Sequence, residues 1–170
     1  MKNPNPKNID ILYEDNHLLV VIKPPNMPTQ ADDSGDLDLL SYLKEYIKIT
    51  YEKPGDVYLG LIQRLDRPTS GVMVFARTSK AAARLQQQQK DGTFQKYYHA
   101  ILDGVPEERG TFTDFLLKER GNLSRVVPAD TPGAKKAILH YRLLDYSHGR
   151  SWVEIDLVTG RSHQIRVQFA

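Results

Sequence analysis

At 170 residues the chain is long enough for one domain with its own core, and its lack of cysteine excludes disulfides and thiolate metal sites and favours a reducing cytoplasm. The polar tail of residues 1–8 has no apolar core like that of a signal peptide, and no later stretch approaches the roughly 18 apolar residues of a membrane span, so we expect a protein that is neither exported nor membrane-bound. The formal charge of +2 averages an acidic block (net −6 over residues 9–58) and two basic blocks (net +5 over 59–100 and +4 over 118–166), which predict either a positive face for phosphates or ordinary solvated charges.

The first half of the sequence predicts a hairpin, two helices and a buried strand. Ile9–Glu14 and Leu18–Ile22 are short β-rich runs joined by a polar turn. Leucine and isoleucine recur at helical spacing over Leu37–Ile49, which predicts an amphipathic helix. Val72–Ala76 is an apolar run typical of a buried strand, and Thr78 and Ser79 are placed to cap a helix that runs to about Lys90.

The second half predicts mostly strands. Four runs have β-rich or alternating patterns and are separated by turns that contain glycine or proline: Tyr97–Leu102, Thr111–Leu117, Ala137–Leu144 and Ser151–Val158. Ser162 is placed to cap a last helix that would still be running where the sequence stops. We therefore expect one α+β domain that covers residues 9–170.

The loop Gln63–Gly71 contains the densest functional signal. Arg64 and Arg67 flank Asp66, so their positive charges favour the ionised carboxylate, while the neighbouring proline and glycine shape the backbone. Such a loop is equally consistent with a catalytic carboxylate and with a surface ion-pair cluster.

A second signal is the segment Thr159–Arg166, which is typical of a turn followed by a polar, basic start of a helix. Arg166 lies one helical turn beyond His163 and so can share its face. A buried Arg166 beside Asp66 would keep the carboxylate charged and in place. The alternatives are a hydrogen-bonded structural histidine and an exposed helix charge.

The third signal is a pair of tyrosines in the strand that follows Lys96. Tyr97 and Tyr98 point to opposite faces because side chains alternate along a strand. One ring can belong to the core while the other stacks on a base, or both can serve packing. The alternation alone does not choose between these arrangements.

The central loop resembles that of the A-type pseudouridine synthases of the large ribosomal subunit. The family's loop reads His-Arg-Leu-Asp-Arg-x-Thr-Ser-Gly, and this chain matches it at every specified position over Arg64–Gly71. Lys23 and the proline after it match the family's Lys-Pro segment, although Asn26 stands where glycine is more usual. Gln63 replaces the usual histidine and keeps a hydrogen-bonding side chain without the imidazole.

The other two segments extend this resemblance to nearly the whole chain. Gly160–Arg166 is similar to the family's Gly-Arg-Thr-His-Gln-(Ile/Leu)-Arg, with serine in place of threonine, and the strand after residue 95 matches Lys-x-Tyr-x-Ala. The resemblance implies a mixed, mainly antiparallel sheet with flanking helices around a central catalytic cleft. Family members normally continue past Ala170, so residues 9–170 are expected to be a catalytic domain that lacks its C-terminal strands.

The resemblance also implies roles for individual residues. Asp66 would be the catalytic aspartate, Tyr98 the ring packed against the target base, and Arg166 the partner of Asp66, which leaves Tyr97 as the core candidate. The expected RNA contacts are Arg64, Arg67, Lys23, Arg161, His163 and Gln164, with weaker outer contacts from Arg77, Lys80, Arg84, Lys135 and Lys136.

The implied function is conversion of uridine to pseudouridine in structured ribosomal or transfer RNA. This isomerisation needs no redox change and no group donor, so we expect neither cofactor nor metal. RNA would be the partner, with no obligate protein partner, and the default oligomeric state is a monomer.

Three other interpretations of the sequence remain. The chain could be an RNA-binding relative that has lost turnover, although the intact Asp66, Tyr98 and Arg166 argue against this. A small-molecule glycosidase would ordinarily require two carboxylates in defined roles, and the sequence offers one well-placed acid. A histidine metal site is the weakest interpretation, because the five histidines are scattered without ligand spacing.

Overall fold

The computed structural model describes residues 9–119 and 123–170. The chain divides into two compact units, with the boundary in the sequence between Asp91 and Gly92. The predicted polar tail of residues 1–8 lies outside the described residues. The prediction that residues 9–170 form a single catalytic domain remains a prediction.

The first unit contains a four-stranded antiparallel sheet and two helices. Its elements in chain order are β1 (Ile11–Glu14), β2 (Leu18–Lys23), α1 (Leu39–Thr50), β3 (Gly60–Leu61), β4 (Gly71–Ala76) and α2 (Ser79–Lys90). The strands lie in the order β1-β2-β4-β3. The sequence predicted the hairpin, both helices and β4, and these predictions are confirmed to within two or three residues.

Strand β2 lies between β1 and β4 in this sheet, and its alternate residues are buried. Leu19 and Val21 are completely buried, and Lys23 continues the same face of the strand with no exposed surface. In the register with β4, Lys23 lies opposite Gly71, the last residue of the central loop. The sheet therefore brings the end of the first hairpin to the end of that loop.

Both helices of the first unit begin at side-chain caps. The Asp38 carboxylate accepts a hydrogen bond from the Ser41 N–H at 3.0 Å, and the Thr78 hydroxyl accepts one from the Ala81 N–H at 3.2 Å. Helix α1 buries Leu39, which follows its cap, in the core. The caps fix where each helix starts and so fix the segments that lead into them.

The second unit contains a five-stranded antiparallel sheet and one short helix. Its elements are β5 (Tyr97–Asp103), β6 (Arg109–Lys118), β7 (Ser124–Val127), β8 (Lys135–Ser147), β9 (Arg150–Asp156) and α3 (Gln164–Gln168). The strands lie in the order β5-β9-β8-β6-β7. The four predicted strands are confirmed, but β7 was missed because its sequence, Ser-Arg-Val-Val, is too short to show alternation.

One face of this second sheet forms a hydrophobic core. The buried cluster consists of Leu139, Tyr141, Val153, Ile155 and Leu157. Partly buried side chains of β5 and β6, and others in and beside α3, pack against it, among them Tyr98, Phe112 and Phe169. Strand β5 and helix α3 are therefore fixed to the same core, and both contribute to the motif segments singled out in the sequence.

Three details predicted from the sequence are wrong in this unit. Tyr97 is 58% exposed, so its expected core role is wrong, whereas Tyr98 is half-buried and has one part of its side chain against the core cluster. The residue before α3 is His163 in a left-handed conformation (φ 53°) without a side-chain cap, so Ser162 is not the cap. The helix also ends at Gln168 rather than continuing to the end of the sequence.

The fold class is confirmed as α+β, and the described strands pair in two antiparallel sheets. Across residues 9–119 and 123–170, every helix is too short or too polar to cross a membrane.

Candidate active site

Asp66 lies in the loop that connects β3 to β4 in the first unit, and it is half-buried. Its carbonyl oxygen accepts a hydrogen bond from the Thr69 N–H at 3.0 Å, which closes a tight turn across Arg67 and Pro68. The turn follows from the sequence, since proline cannot donate a backbone hydrogen bond and breaks the strand pattern. Asp66 therefore stands at the first position of a turn.

The two ends of the loop are held together. The Gln63 side-chain amide donates to the Val72 carbonyl at 3.3 Å. Gly71 has φ +151°, and a Cβ added there would contact the Leu65 side chain at 3.5 Å. Glycine thus lets the chain turn from the loop into β4 close to the buried Leu65. Gln63, which replaces the family's usual histidine, contributes to this closure with its amide.

Lys23 supports the loop through hydrogen bonds from its ammonium group. Its Nζ donates hydrogen bonds to the carbonyls of Pro24 at 3.0 Å, Met27 at 2.6 Å and Arg67 at 3.1 Å. These three bonds use all three ammonium protons. Because Arg67 is the residue after Asp66, the bond to its carbonyl anchors the backbone one residue beyond the carboxylate.

Lys23 is completely buried, which does not fit the expected contact with RNA and indicates a structural role instead. Burial lowers the pKa of the Lys23 ammonium to about 8, while the charge of Asp66 acts to raise it and that of Arg67 to lower it further. The sequence could not distinguish this role, because a lysine at the end of a strand is usually exposed.

Thr29 supports the other side of Asp66. Its hydroxyl donates to the Leu65 carbonyl at 2.8 Å and lies 3.3 Å from the Leu65 N–H, which donates to it. Thr29 is only 5% exposed and Leu65 only 8%. Sequence analysis did not single out Thr29, since one threonine in a proline-containing segment carries no pattern that indicates a distant partner.

Arg67 interacts with an acidic segment of the same unit. Its guanidinium contacts the Asp36 carboxylate, donates to the Ser34 hydroxyl at 3.0 Å and lies 3.9 Å from Asp32. The Arg67 side chain remains 39% exposed. Arg64, the other arginine of the loop, is exposed. Both arginines can therefore be reached by solvent, and Arg67 already has carboxylate partners.

Arg77, which the sequence suggested as an outer RNA contact, has a different role. Its guanidinium donates to the Glu14 carboxylate at 2.8 Å and to the Asp15 carbonyl at 2.6 Å, and it stacks over the Tyr51 ring at 4.4 Å. Only 10% of the side chain is exposed. Arg77 therefore joins the first hairpin to the end of α1.

In the second unit, Gln164 organises the late motif. Its side-chain oxygen accepts hydrogen bonds from the Thr159 hydroxyl at 2.8 Å and the Arg161 N–H at 3.0 Å, while its amide donates to the Ile138 carbonyl at 3.1 Å and to Gln168 at 3.0 Å. Gln164 is 2% exposed. Its expected contact with RNA is therefore corrected, and it holds the turn before α3 against β8.

The other residues of the late motif are more accessible. Arg161 is exposed and donates through Nε to the Lys136 carbonyl at 2.8 Å. His163 is half-buried, and Arg166 is exposed rather than buried as the sequence suggested. Burial lowers the pKa of the Lys96 ammonium, and the nearby charge of Arg161 lowers it further.

The structure assigns the three expected catalytic residues to different elements. Asp66 belongs to the loop of the first unit, whereas Tyr98 on β5 and Arg166 on α3 belong to the second. Among the described residues, no group of three histidine or carboxylate side chains is arranged to hold a metal ion.

The sequence profile of the RNA pseudouridylate synthases matches residues 17–170. The chain belongs to this family. The matched region includes the central loop, the tyrosine strand and the late motif, so the resemblance seen in these short segments holds over most of the chain.

Two curated relatives are also described as RNA pseudouridine synthases. One, the uncharacterized YhcT of Bacillus subtilis, is 34% identical over 98% of this chain and 55% of its own length. Another, the ribosomal large subunit pseudouridine synthase D of Zymomonas mobilis, is 34% identical over 95% of this chain and 52% of its own length. The chain spans about half the length of these relatives.

A solved structure of the same family has a similar fold. The human RNA pseudouridylate synthase domain containing 4 superposes with a TM-score of 0.76 and 26% identity, over 93% of this chain and 62% of its own. Membership of the pseudouridylate synthases therefore rests on sequence and on structure.

Proposed function

We propose that this protein is an RNA pseudouridine synthase in which Asp66 is the catalytic carboxylate. The observation that carries the proposal is the setting of Asp66, in a motif shared with the family, half-exposed and held between backbone anchors on either side. A surface ion-pair loop would not require a buried lysine and a buried threonine to anchor the backbone of the two residues that flank one aspartate.

The reaction breaks the bond between ribose C1′ and uracil N1, rotates the base, and joins uracil C5 to the same C1′. The C5 proton is lost and N1 gains a proton, so uridine and product are isomers. Asp66 can serve by attacking C1′, by attacking C6 of the ring, or by removing a ribose proton. Each route uses the ionised carboxylate.

The second unit supplies the other two proposed catalytic residues. Tyr98 would stack against the uracil. A role as the base that removes the C5 proton is less suitable, because a phenol with an ordinary pKa near 10 is a poor base at neutral pH. Arg166 would pair with Asp66 in the substrate complex, as the family resemblance implies. These roles rest on the motif matches.

RNA binding is proposed to involve exposed basic side chains. A target uridine within a stem must leave its stack before it can reach a carboxylate, at a cost of roughly a few kcal/mol that phosphate contacts must offset. The candidates are Arg64, Arg67, Arg161 and His163. The proposed substrates are structured ribosomal or transfer RNA, and the protein is proposed to act in the cytoplasm as a monomer without an obligate protein partner.

The experiment measures tritium released from RNA labelled at uracil C5, with bulk ribosomal and transfer RNA from cells that lack the protein. We expect the full-length protein to release tritium and Asp66→Asn to release none while binding RNA with unchanged affinity. Salt-sensitive RNA binding without any release by the parent protein would identify a binding relative instead. Turnover of free uridine in the absence of RNA would favour a small-molecule enzyme.

A further inference from the structure

The residues on either side of Asp66 are anchored through their backbone by side chains that come from one short segment, residues 23–29. Thr29 binds both backbone groups of Leu65, and Lys23 binds the carbonyl of Arg67. The partners are 36 and 44 residues apart in sequence. Asp66 is thus the single residue between two anchored neighbours.

The hydroxyl of Thr29 acts both as donor and as acceptor in this contact. It donates one hydrogen bond to the Leu65 carbonyl and accepts one from the Leu65 N–H. A hydroxyl can do both, whereas an apolar side chain of the same shape can do neither. Since Leu65 is buried, its backbone groups would have no water to replace the lost partner.

Thr29 is itself held by the start of helix α1. The Pro28 carbonyl accepts from the Leu39 N–H at 2.9 Å, and the Thr29 carbonyl accepts from the Leu40 N–H at 3.1 Å. These N–H groups belong to the first turn of the helix, where they have no partner within the helix. The position of the Thr29 hydroxyl is therefore set by a capped helix rather than by a free loop.

We propose that Thr29 is a positioning residue that sets the direction of the Asp66 carboxylate. The inference rests on the proposed function, because it requires Asp66 to react. Thr29 transmits the position of α1 to the peptide before Asp66, and Lys23 fixes the carbonyl of the following residue, Arg67. The two anchors restrict the backbone from which the Asp66 side chain extends.

Loss of the Thr29 hydroxyl is expected to slow the reaction rather than to weaken RNA binding. A displacement of about 1 Å at a reacting group can cost about 100-fold in rate. Thr29 is almost completely buried and offers little surface to RNA, so KM should stay within about 2-fold of the parent value while kcat falls about 100-fold. A general loss of folding would also lower the apparent kcat, so kcat is expressed per folded molecule, with the folded fraction taken from urea denaturation.

The test compares Thr29→Val, Thr29→Ala and Thr29→Ser in the full-length protein. Valine preserves the shape without the hydroxyl, alanine removes the hydroxyl without placing a methyl group against the Leu65 carbonyl, and serine restores both hydrogen bonds. Thr113→Val on the exposed face of β6 is the matched control. Tritium release gives kcat and KM, and amide hydrogen exchange of Leu65 reports the local bond.

We expect low kcat and faster Leu65 exchange for valine or alanine, and recovery to within about 3-fold of the parent for serine and the control. Parent-like kcat in a folded hydroxyl-free variant, with Asp66→Asn inactive, would overturn the role of Thr29 and leave the proposed function intact. Activity of Asp66→Asn would instead overturn the proposed function. Should valine fail to fold, alanine and the Leu65 exchange rate decide.

Discussion

The two motif segments are held in place in different ways. The loop around Asp66 is fixed by Lys23 and Thr29, which lie far away in the sequence, whereas the late motif is fixed mainly by its own Gln164. In both, a buried polar side chain satisfies backbone groups of a turn, and arginines at the surface remain exposed. A motif match therefore combines residues that hold the backbone with residues that face solvent.

This comparison makes Lys23 the residue whose loss should have the largest effect on stability. Lys23→Met keeps the bulk of the side chain but leaves three buried carbonyls without their donor, so we expect the free energy of unfolding to fall by about 3 kcal/mol. Urea denaturation at pH 7 measures it. Lys44→Met on the exposed side of α1 is the control and should change stability by less than about 0.5 kcal/mol. Equal effects of the two substitutions would show that Lys23 does not support the loop.

Because burial lowers the pKa of Lys23, the contribution of Lys23 to stability depends on pH. The folded protein loses the Lys23 proton at about pH 8, whereas the unfolded chain keeps it until about 10.5. Between these values the unfolded state binds more protons, so the contribution of Lys23 to stability rises with pH, by roughly 2 kcal/mol at pH 10. The parent should therefore gain stability relative to Lys23→Met from pH 8 to pH 10. Parallel stability curves would contradict the depressed pKa.

In the late motif, Gln164→Met separates a structural role from RNA recognition. Methionine fills similar space but cannot bind Thr159, Arg161 or Ile138, so we expect the free energy of unfolding to fall by about 2 kcal/mol. RNA affinity should change only in proportion to the loss of folded protein. Weaker RNA binding with unchanged stability would instead show that Gln164 contacts RNA.

The smallest effect on stability is expected at the ion pairs of Arg67. Asp36→Asn removes one carboxylate from a half-exposed arginine, and such pairs contribute at most about 1 kcal/mol. The substitution should tighten RNA binding, since it releases Arg67 for phosphate contacts. Binding at two salt concentrations measures this, with Asp56→Asn in the exposed turn after α1 as the charge-matched control. Equal tightening by both variants would indicate a nonspecific charge effect.

Sequence patterns predicted most of the fold because they report local periodicity and capping. The hairpin, α1 and β4 have clear apolar patterns, and α2 follows the cap predicted at Thr78-Ser79, which the Thr78 hydroxyl provides. The short strand β7 has too few residues to show alternation, and the left-handed His163 has no signature in its side chain. Local pattern alone therefore misses short strands and unusual backbone at turns.

The sequence proposes Asp66 as the reacting group through its loop and the family resemblance, and this assignment stays a prediction. Burial could not be predicted from the sequence: Lys23, Arg77 and Gln164 were expected at RNA and lie inside the fold instead. Thr29 was missed because its partner, the backbone of Leu65, leaves no trace in the sequence. Long-range contacts of side chains with backbone are the information that a single sequence lacks.

The most direct test of the account is to map pseudouridine in the RNA of cells that lack this protein and carry either the full-length parent or Asp66→Asn. We predict one or more sites that are modified by the parent and remain uridine with Asp66→Asn, at equal protein levels. Full modification of those sites by Asp66→Asn would contradict the assignment of Asp66 as the reacting group.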